Sequence, residues 1–233
     1  MSEPIKITYC FDFDNGTDKT FIVNLDSQYL NYINEFVGDT PDWANLTYKK
    51  CNNCPLPETE NKYCPVAKNL VPVTDKFSNI SSHENVFVTV TTEERTYKKR
   101  TTIDEGLGSL MGVIMVTSGC PILEYLKPMA RFHLPFASPL ETTIRTMSMF
   151  LLAQYLANED LSINSIDFNF DDIENIYAKI NDTNVDFSRR LAAACEKNAN
   201  LGALVNLDCN ATLVTMTVEE TLREFKRYFS AYM

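Results

Sequence analysis

The chain has 233 residues, of which 45% are hydrophobic and 22% are charged, a composition typical of a globular protein. Its 31 acidic and 21 basic residues give a formal net charge of −10, which repels a phosphate backbone and argues against nucleic acid as a partner. No apolar run approaches the roughly 20 residues of a membrane-spanning helix, and no basic and then apolar leader opens the chain. We therefore expect a soluble, cytoplasmic protein without a membrane anchor.

The first hundred residues predict a small antiparallel sheet. Apolar and polar residues alternate from residue 5 to 13, and the turn Asp14-Asn15-Gly16 leads to a return strand over residues 20–25. A third strand is predicted over residues 83–92, and the charged stretch that follows it is typical of a hairpin or of an edge protected by lysines. Between these strands, apolar spacing predicts two short helices, over residues 27–37 and 66–77.

From Thr102 onward the pattern becomes helical. The capping box Thr102-Ile103-Asp104-Glu105 opens a helix that ends at Gly119, and Gly108 and Gly112 lie four apart on one of its faces. Small residues at that spacing indicate the close approach of another helix or of a cofactor. A second capping box, Ser138-Pro139-Leu140-Glu141, opens a helix that is apolar on most sides and is therefore expected to be the central buried helix. Three further helices are predicted, near residues 171–180, 186–206 and 217–233.

These elements predict a single α+β domain over residues 1–233. Its β-rich sub-lobe, residues 1–101, carries the small antiparallel sheet and a cluster of cysteines. That sheet packs on the larger helical sub-lobe, residues 102–233.

The cysteines carry the most specific chemical signal. Cys51 and Cys54 form a CxxC pair, Cys64 follows within the same loop, and Cys120 shares with Cys54 and Cys64 a directly following proline. A CxxC pair lets two sulfurs face one centre, and zinc requires four such soft ligands at tetrahedral angles. The pattern therefore predicts a Cys51/Cys54/Cys64/Cys120 zinc site that joins the two sub-lobes, with His133 as the reserve ligand.

The prolines also predict where two of these thiols lie. Because proline favours the first position of a helix, Cys64 and Cys120 are expected to precede helices that begin at Pro65 and Pro121. The positive ends of the two helix dipoles would then lower the pKa of both thiols.

Other interpretations of the cysteines stay open. Cysteines followed by proline also occur in iron–sulfur proteins, and the thiols could be unliganded or form a reversible disulfide. A reactive thiol is the other chemical alternative, in which Cys120 is the nucleophile of an enzyme or redox sensor and His133 its base. Glu141 and Arg145 would then orient the reacting groups. Their simpler role is a favourable pair within one helix, and Arg189 and Arg190 are expected to face solvent.

Four motifs together resemble a bacterial family of domains of unknown function. They are Cys-x-x-Cys-Pro-Leu at 51–56, Tyr-Cys-Pro-Val-Ala at 63–67, Thr-Ser-Gly-Cys-Pro at 117–121 and Arg-Phe-His-Leu-Pro-Phe-Ala at 131–137. The resemblance implies a cytosolic bacterial protein and gives no residue a catalytic role. Our first hypothesis is therefore a non-enzymatic zinc protein that acts through interaction with other proteins or through regulation. The sequence leaves its oligomeric state open.

Overall fold

The structure, a computed structural model, describes residues 3–78, 80–81, 83–157, 171–194 and 225–232. A four-stranded antiparallel sheet with the strand order β2-β1-β3-β4 lies at its centre. Its strands are β1 Ile5–Phe13, β2 Asp18–Leu25, β3 Asn85–Thr91 and β4 Thr96–Thr102. The predicted hairpin and third strand are thus confirmed, and the charged stretch forms the edge strand β4.

Five α-helices are present in the described residues, one between β2 and β3 and four after β4. They are α1 Pro65–Lys76, α2 Ile103–Val116, α3 Lys127–Arg131, α4 Pro139–Ala157 and α5 Asp171–Ala194. Single turns of 3-10 helix occupy Asp42–Ala44 and Leu123–Leu126, and a longer 3-10 segment occupies Lys226–Tyr232. This arrangement confirms the predicted α+β fold.

The alternation in β1 produces the core. Alternate residues of β1 from Ile7 to Phe13 are buried, and so are those of β3 from Val86 to Val90, because successive side chains of a strand point to opposite faces. The ring of Phe11 lies edge-on against Phe77 at the end of α1, with 4.9 Å between ring centroids. These contacts place α1 and α2 side by side on the buried face of the sheet.

A glycine sets the distance between α2 and the sheet. A Cβ atom at Gly106 would lie 2.8 Å from a ring carbon of Phe11 and 2.8 Å from a methyl group of Val88. Only a residue without a side chain allows the helix to pack this closely. Burial of apolar side chains along α2 offsets the roughly 1 kcal/mol by which glycine weakens a helix.

The helix predicted over residues 27–37 is wrong. The carboxylate of Asp26 accepts hydrogen bonds from the backbone N–H groups of Gln28, Tyr29 and Asn31, so it competes with helical pairing. Leu30 has a φ of 59°, which a right-handed helix does not permit. The segment is therefore a loop that is organised by Asp26.

Two further helix predictions are corrected. The central buried helix is α2 and not α4, because Leu152 and Leu156 on α4 are 49% and 64% exposed, whereas α2 is buried along most of its length. Two separate helices are predicted near residues 171–180 and 186–206, but the described part of this region, Asp171–Ala194, is one continuous helix, α5. The remainder of the second prediction, and most of the helix predicted over 217–233, lie outside the described residues.

The two predicted capping boxes differ in outcome. At the start of α4, Ser138 and Glu141 exchange hydrogen bonds between their side chains and backbone N–H groups, which confirms the prediction. At the start of α2, Thr102 makes no side-chain cap. The Glu105 carboxylate pairs instead with Lys99 at 2.6 Å and accepts a hydrogen bond from Thr101.

No helix in the described part of the chain is both long enough and apolar enough to cross a membrane.

Candidate metal centre

Four cysteines line one small cavity of about 20 Å³. They are the four that the sequence analysis grouped, namely Cys51, Cys54, Cys64 and Cys120. Three come from the loop before α1, and the fourth follows α2, so the cavity lies where the sheet-bearing part of the chain meets the helical part. A cavity of this size accommodates about one water molecule or one ion.

Local structure explains how the first three cysteines reach the cavity. A turn closes the CxxC pair, since the N–H of Cys54 donates to the carbonyl of Cys51 at 3.1 Å. Cys64 is held by its own N–H, which donates to the carbonyl of Ala44 at 2.9 Å, and it forms the N-cap of α1 with Pro65 at the first helical position. The prediction for Cys64 is thus confirmed.

Cys120 reaches the cavity by a sharper turn. It follows Gly119, whose φ of 86° is readily adopted only by glycine. The carbonyl of Cys120 accepts hydrogen bonds from the N–H groups of Leu123 and Glu124 at 3.0 Å. Residues 121 and 122 form a turn, and the regular 3-10 helix begins at Leu123, so Cys120 precedes a tighter and shorter element than the sequence predicted.

Helix α5 closes the remaining side of the cavity, where Thr183 and Phe187 line it. Its contacts with the CxxC loop are mainly hydrogen bonds. Asp186 accepts one from the backbone N–H of Asn52 at 2.8 Å, and the hydroxyl of Thr183 donates to the side chain of Asn53 at 3.1 Å. The thiol of Cys51 points to the carbonyl of Thr183, with 4.0 Å between sulfur and oxygen. The sequence analysis missed this contribution of α5.

Arg190 is a buried cation beside the thiols. It is 1% exposed, and its guanidinium donates to the carbonyls of Trp43, Asn45 and Leu46 at 2.7 to 3.2 Å. No carboxylate of the described residues lies within 4 Å of it, and its buried Nε has no hydrogen-bond partner among them. The expectation that Arg190 faces solvent is therefore wrong, whereas the side chain of Arg189 is 65% exposed.

Burial is the largest influence on the pKa of Cys51, Cys64 and Cys120. It raises the pKa of Cys51 to about 12, and the pKa values of Cys64 and Cys120 are also raised. Backbone N–H groups at the start of each following element lower the pKa of Cys64 and Cys120, as predicted from the helix dipoles, but burial is the larger effect. The prediction that the helix dipoles lower the pKa of the Cys64 and Cys120 thiols below the ordinary value is thus wrong. The positive charge of Arg190 lowers the pKa of Cys51 and Cys64 in part.

The cysteine side chains do not form a completed metal site as they stand. Among the described residues, no three His, Cys, Asp or Glu side chains are arranged so that they could hold a metal ion. The thiol of Cys51, directed to the carbonyl of Thr183, is one side chain that would have to turn toward a shared centre. The cavity therefore brings four potential ligands together without fixing their coordination geometry.

His133 lies in a different place. It lines a second, larger cavity, where its Nε2 is 2.5 Å from the hydroxyl of Tyr9 and 3.4 Å from that of Ser109. Burial, with a smaller effect of the Arg145 charge, lowers the pKa of His133 to about 3. Cys120 lines the small cavity, and His133 lines the larger one.

The other cysteines stand apart from the site. Cys10 lies on β1, half-buried on the face of the strand opposite the core residues, and its sulfur is near the hydroxyl of Thr20. Cys195 and Cys209 lie outside the described residues.

The fold and the cavity define an α+β protein with four cysteines gathered where the loop before α1, the turn after α2 and helix α5 meet. A family model described as a domain of unknown function, DUF6901, matches residues 7–230. The chain belongs to that family, in agreement with the class of family that the sequence motifs indicated. Comparisons with curated proteins and with solved structures give no match.

Proposed function

We propose that the chain binds one zinc ion through Cys51, Cys54, Cys64 and Cys120. The observation that carries this proposal is that all four side chains line one cavity of about 20 Å³. A zinc ion with four sulfurs at about 2.3 Å is a compact centre. An iron–sulfur cluster contains several iron and sulfide atoms and would require the loops to move apart. The size of the cavity thus favours a single ion.

The surroundings of the cavity suit an anionic centre. Four thiolates around one Zn²⁺ carry a net charge of −2, and the buried guanidinium of Arg190 supplies a positive charge beside them. The backbone N–H groups that follow Cys64 and Cys120 lower the pKa of both thiols in part, which favours the thiolate form that a metal requires. Such contacts around the ligands orient them and tune a metal site.

The role of the ion would be structural. It would join the loop before α1, the turn after α2 and, through Asn52, Asn53 and Cys51, helix α5. A structural zinc ion contributes directly to folding because its ligands are far apart in the unfolded chain. The protein would then act through interaction with other proteins or through regulation, and not as an enzyme, in the cytoplasm.

Metal analysis of anaerobically purified full-length protein, combined with an absorption spectrum, tests this proposal. We expect about one equivalent of zinc and no visible absorption. The Cys120→Ser variant should lose most of the zinc, whereas Cys10→Ser, which alters a cysteine on the far face of the sheet, should retain it. Zinc affinity should fall as the pH falls, because the metal must displace the protons of thiols whose pKa is raised.

Three results would contradict the proposal. A content of less than about half an equivalent of metal per chain would contradict the proposed zinc centre. Iron together with sulfide and visible absorption would indicate an iron–sulfur protein. Fast alkylation of Cys120 in the native, metal-free protein, lost in His133→Asn, would support the reactive-thiol alternative in place of a metal centre.

A further inference from the structure

The larger cavity, which His133 lines, has the dimensions of a ligand site. Its volume is about 720 Å³, within the range of about 300 to 1,000 Å³ that is typical of small-molecule pockets. It extends along α2 from Asp104 to Val116, a distance of about 18 Å at 1.5 Å per residue. Gly108 and Gly112, the pair that the sequence singled out, lie along this wall.

The wall of this cavity is mostly apolar. Side chains from α2, from the 3-10 helix after it, from α3, from the connection after α3 and from α5 contribute to it. Examples are Val113, Met115, Leu126, Met129, Leu134 and Ile180. A molecule held here would therefore bury a hydrocarbon surface, which favours binding by about 25 cal/mol for each Å² removed from water.

One cation in the wall, Arg145, forms no ion pair within 4 Å among the described residues, and the charge of Glu141 acts on it only from farther away. Arg145 of α4 is half-buried, and its Nη2 donates to the carbonyls of Phe132 at 2.5 Å and Met129 at 3.3 Å. Within the described ranges, no carboxylate lies within 4 Å of its guanidinium, and its other nitrogens have no hydrogen-bond partner. Glu141, one turn earlier, is occupied by its bonds to Ser138. The charge of Arg145 is thus partly desolvated and available for an anion.

The acidic residues of the wall are already engaged. Glu105 is paired with Lys99 at 2.6 Å, and Asp104 accepts a hydrogen bond from the N–H of Glu105 in the first turn of α2. Both lie at the end of the cavity where α2 begins. The deep polar group, formed by Tyr9, Ser109 and His133, is a network of hydroxyls and a neutral imidazole and adds no charge.

We propose that this cavity binds a small molecule with an apolar body and one carboxylate, and that Arg145 pairs with the carboxylate. A guanidinium presents parallel N–H groups that match the two oxygens of a carboxylate, which makes such pairs stronger than neutral hydrogen bonds. The apolar wall accepts the remainder of the molecule. The site is separate from the cysteine cavity and does not require that a metal be bound there.

Calorimetric titration of the full chain with decanoate and with decanol tests the proposal. The two probes share a hydrocarbon chain and differ in the head group. Decanoate should bind about tenfold or more tightly than decanol, because a hydrogen bond to a charged group is worth more than a neutral one. Arg145→Gln should remove this preference and Arg145→Lys should retain part of it. Arg189→Gln, a change to an exposed arginine on α5, should have no effect.

A second variant tests the place of binding. Gly112→Leu inserts a side chain into the wall of the cavity and should weaken both probes, with circular dichroism to verify that the variant folds. Equal affinity for decanoate and decanol would overturn the proposal. So would a preference for decanoate that survives Arg145→Gln, or no heat of binding for decanoate at millimolar concentration.

Discussion

The buried histidine predicts a specific loss of stability in mild acid. Nε2 of His133 lies 2.5 Å from the hydroxyl of Tyr9, which is fully buried and whose pKa is raised by burial. The phenol keeps its proton and burial keeps the imidazole neutral, and the imidazole tautomer decides which of the two groups donates this hydrogen bond. Protonation would place a positive charge in a buried, desolvated site and close to the charge of Arg145.

The sign and size of the effect follow from the pKa of His133, which burial lowers from the ordinary 6.5 to about 3. Between these values the unfolded chain takes up a proton that the folded chain refuses, so the folded state loses stability as the pH falls. From about pH 7.5 to about pH 5 the loss that is due to this residue is about 2 kcal/mol.

Urea unfolding of three proteins, followed by circular dichroism at both pH values, measures this loss. His133→Asn should be less stable than the wild type at the higher pH, but should lose about 2 kcal/mol less on acidification. The other of the two histidines, His83, is exposed, so His83→Asn controls for the removal of an imidazole. If a bound zinc ion is released in acid, it changes the free energy of unfolding of all three proteins alike, and this contribution cancels when they are compared. An equal loss in His133→Asn and the wild type would refute the reasoning.

Two other substitutions test the packing. Arg190→Ala leaves three buried carbonyls without a donor and should cost about 3 kcal/mol or more in urea unfolding, whereas Arg189→Ala should stay within about 0.5 kcal/mol. Equal effects would show that the buried contacts of Arg190 do not stabilise the fold. Gly106→Ala forces a methyl group against Phe11 and Val88 and should lower the melting temperature by the equivalent of about 1 to 2 kcal/mol, despite a better helix propensity. A stabilised variant would contradict the close approach of α2 to the sheet.

Features that depend on local spacing could be predicted from the sequence. The alternation in β1 gave its buried face, and the shared Cys-Pro context placed Cys64 and Cys120 at one cavity, although 56 residues separate them in the chain. The capping box of Ser138 and Glu141 was likewise readable, because all its partners lie within four residues.

Features that depend on contacts between residues far apart in the chain, or on burial, could not be predicted from the sequence. Periodicity alone cannot show that Asp26 captures three backbone N–H groups and so prevents a helix. The net pKa of the thiols required knowledge of their burial, which outweighs the helix ends.

Arg190 shows where a signal existed. Arg190 lies two helical turns after the buried Thr183 and directly before the buried Leu191. It therefore lies on the buried stripe of α5. A charge in such a stripe indicates a buried partner, although its identity requires the fold. Here the partners are three backbone carbonyls from residues 43–46.

The strand order has a consequence for how the chain folds during synthesis. One edge of β1 pairs with β2, the next strand in the chain, but its other edge pairs with β3, which begins 60 positions after the end of β2. Until β3 emerges from the ribosome, the future centre of the sheet has an open edge and an uncovered apolar face. Such an edge favours pairing with other chains. Closure by β3 and α2 is thus the step that removes this hazard, and it brings the loop carrying Cys51, Cys54 and Cys64 within the folded domain.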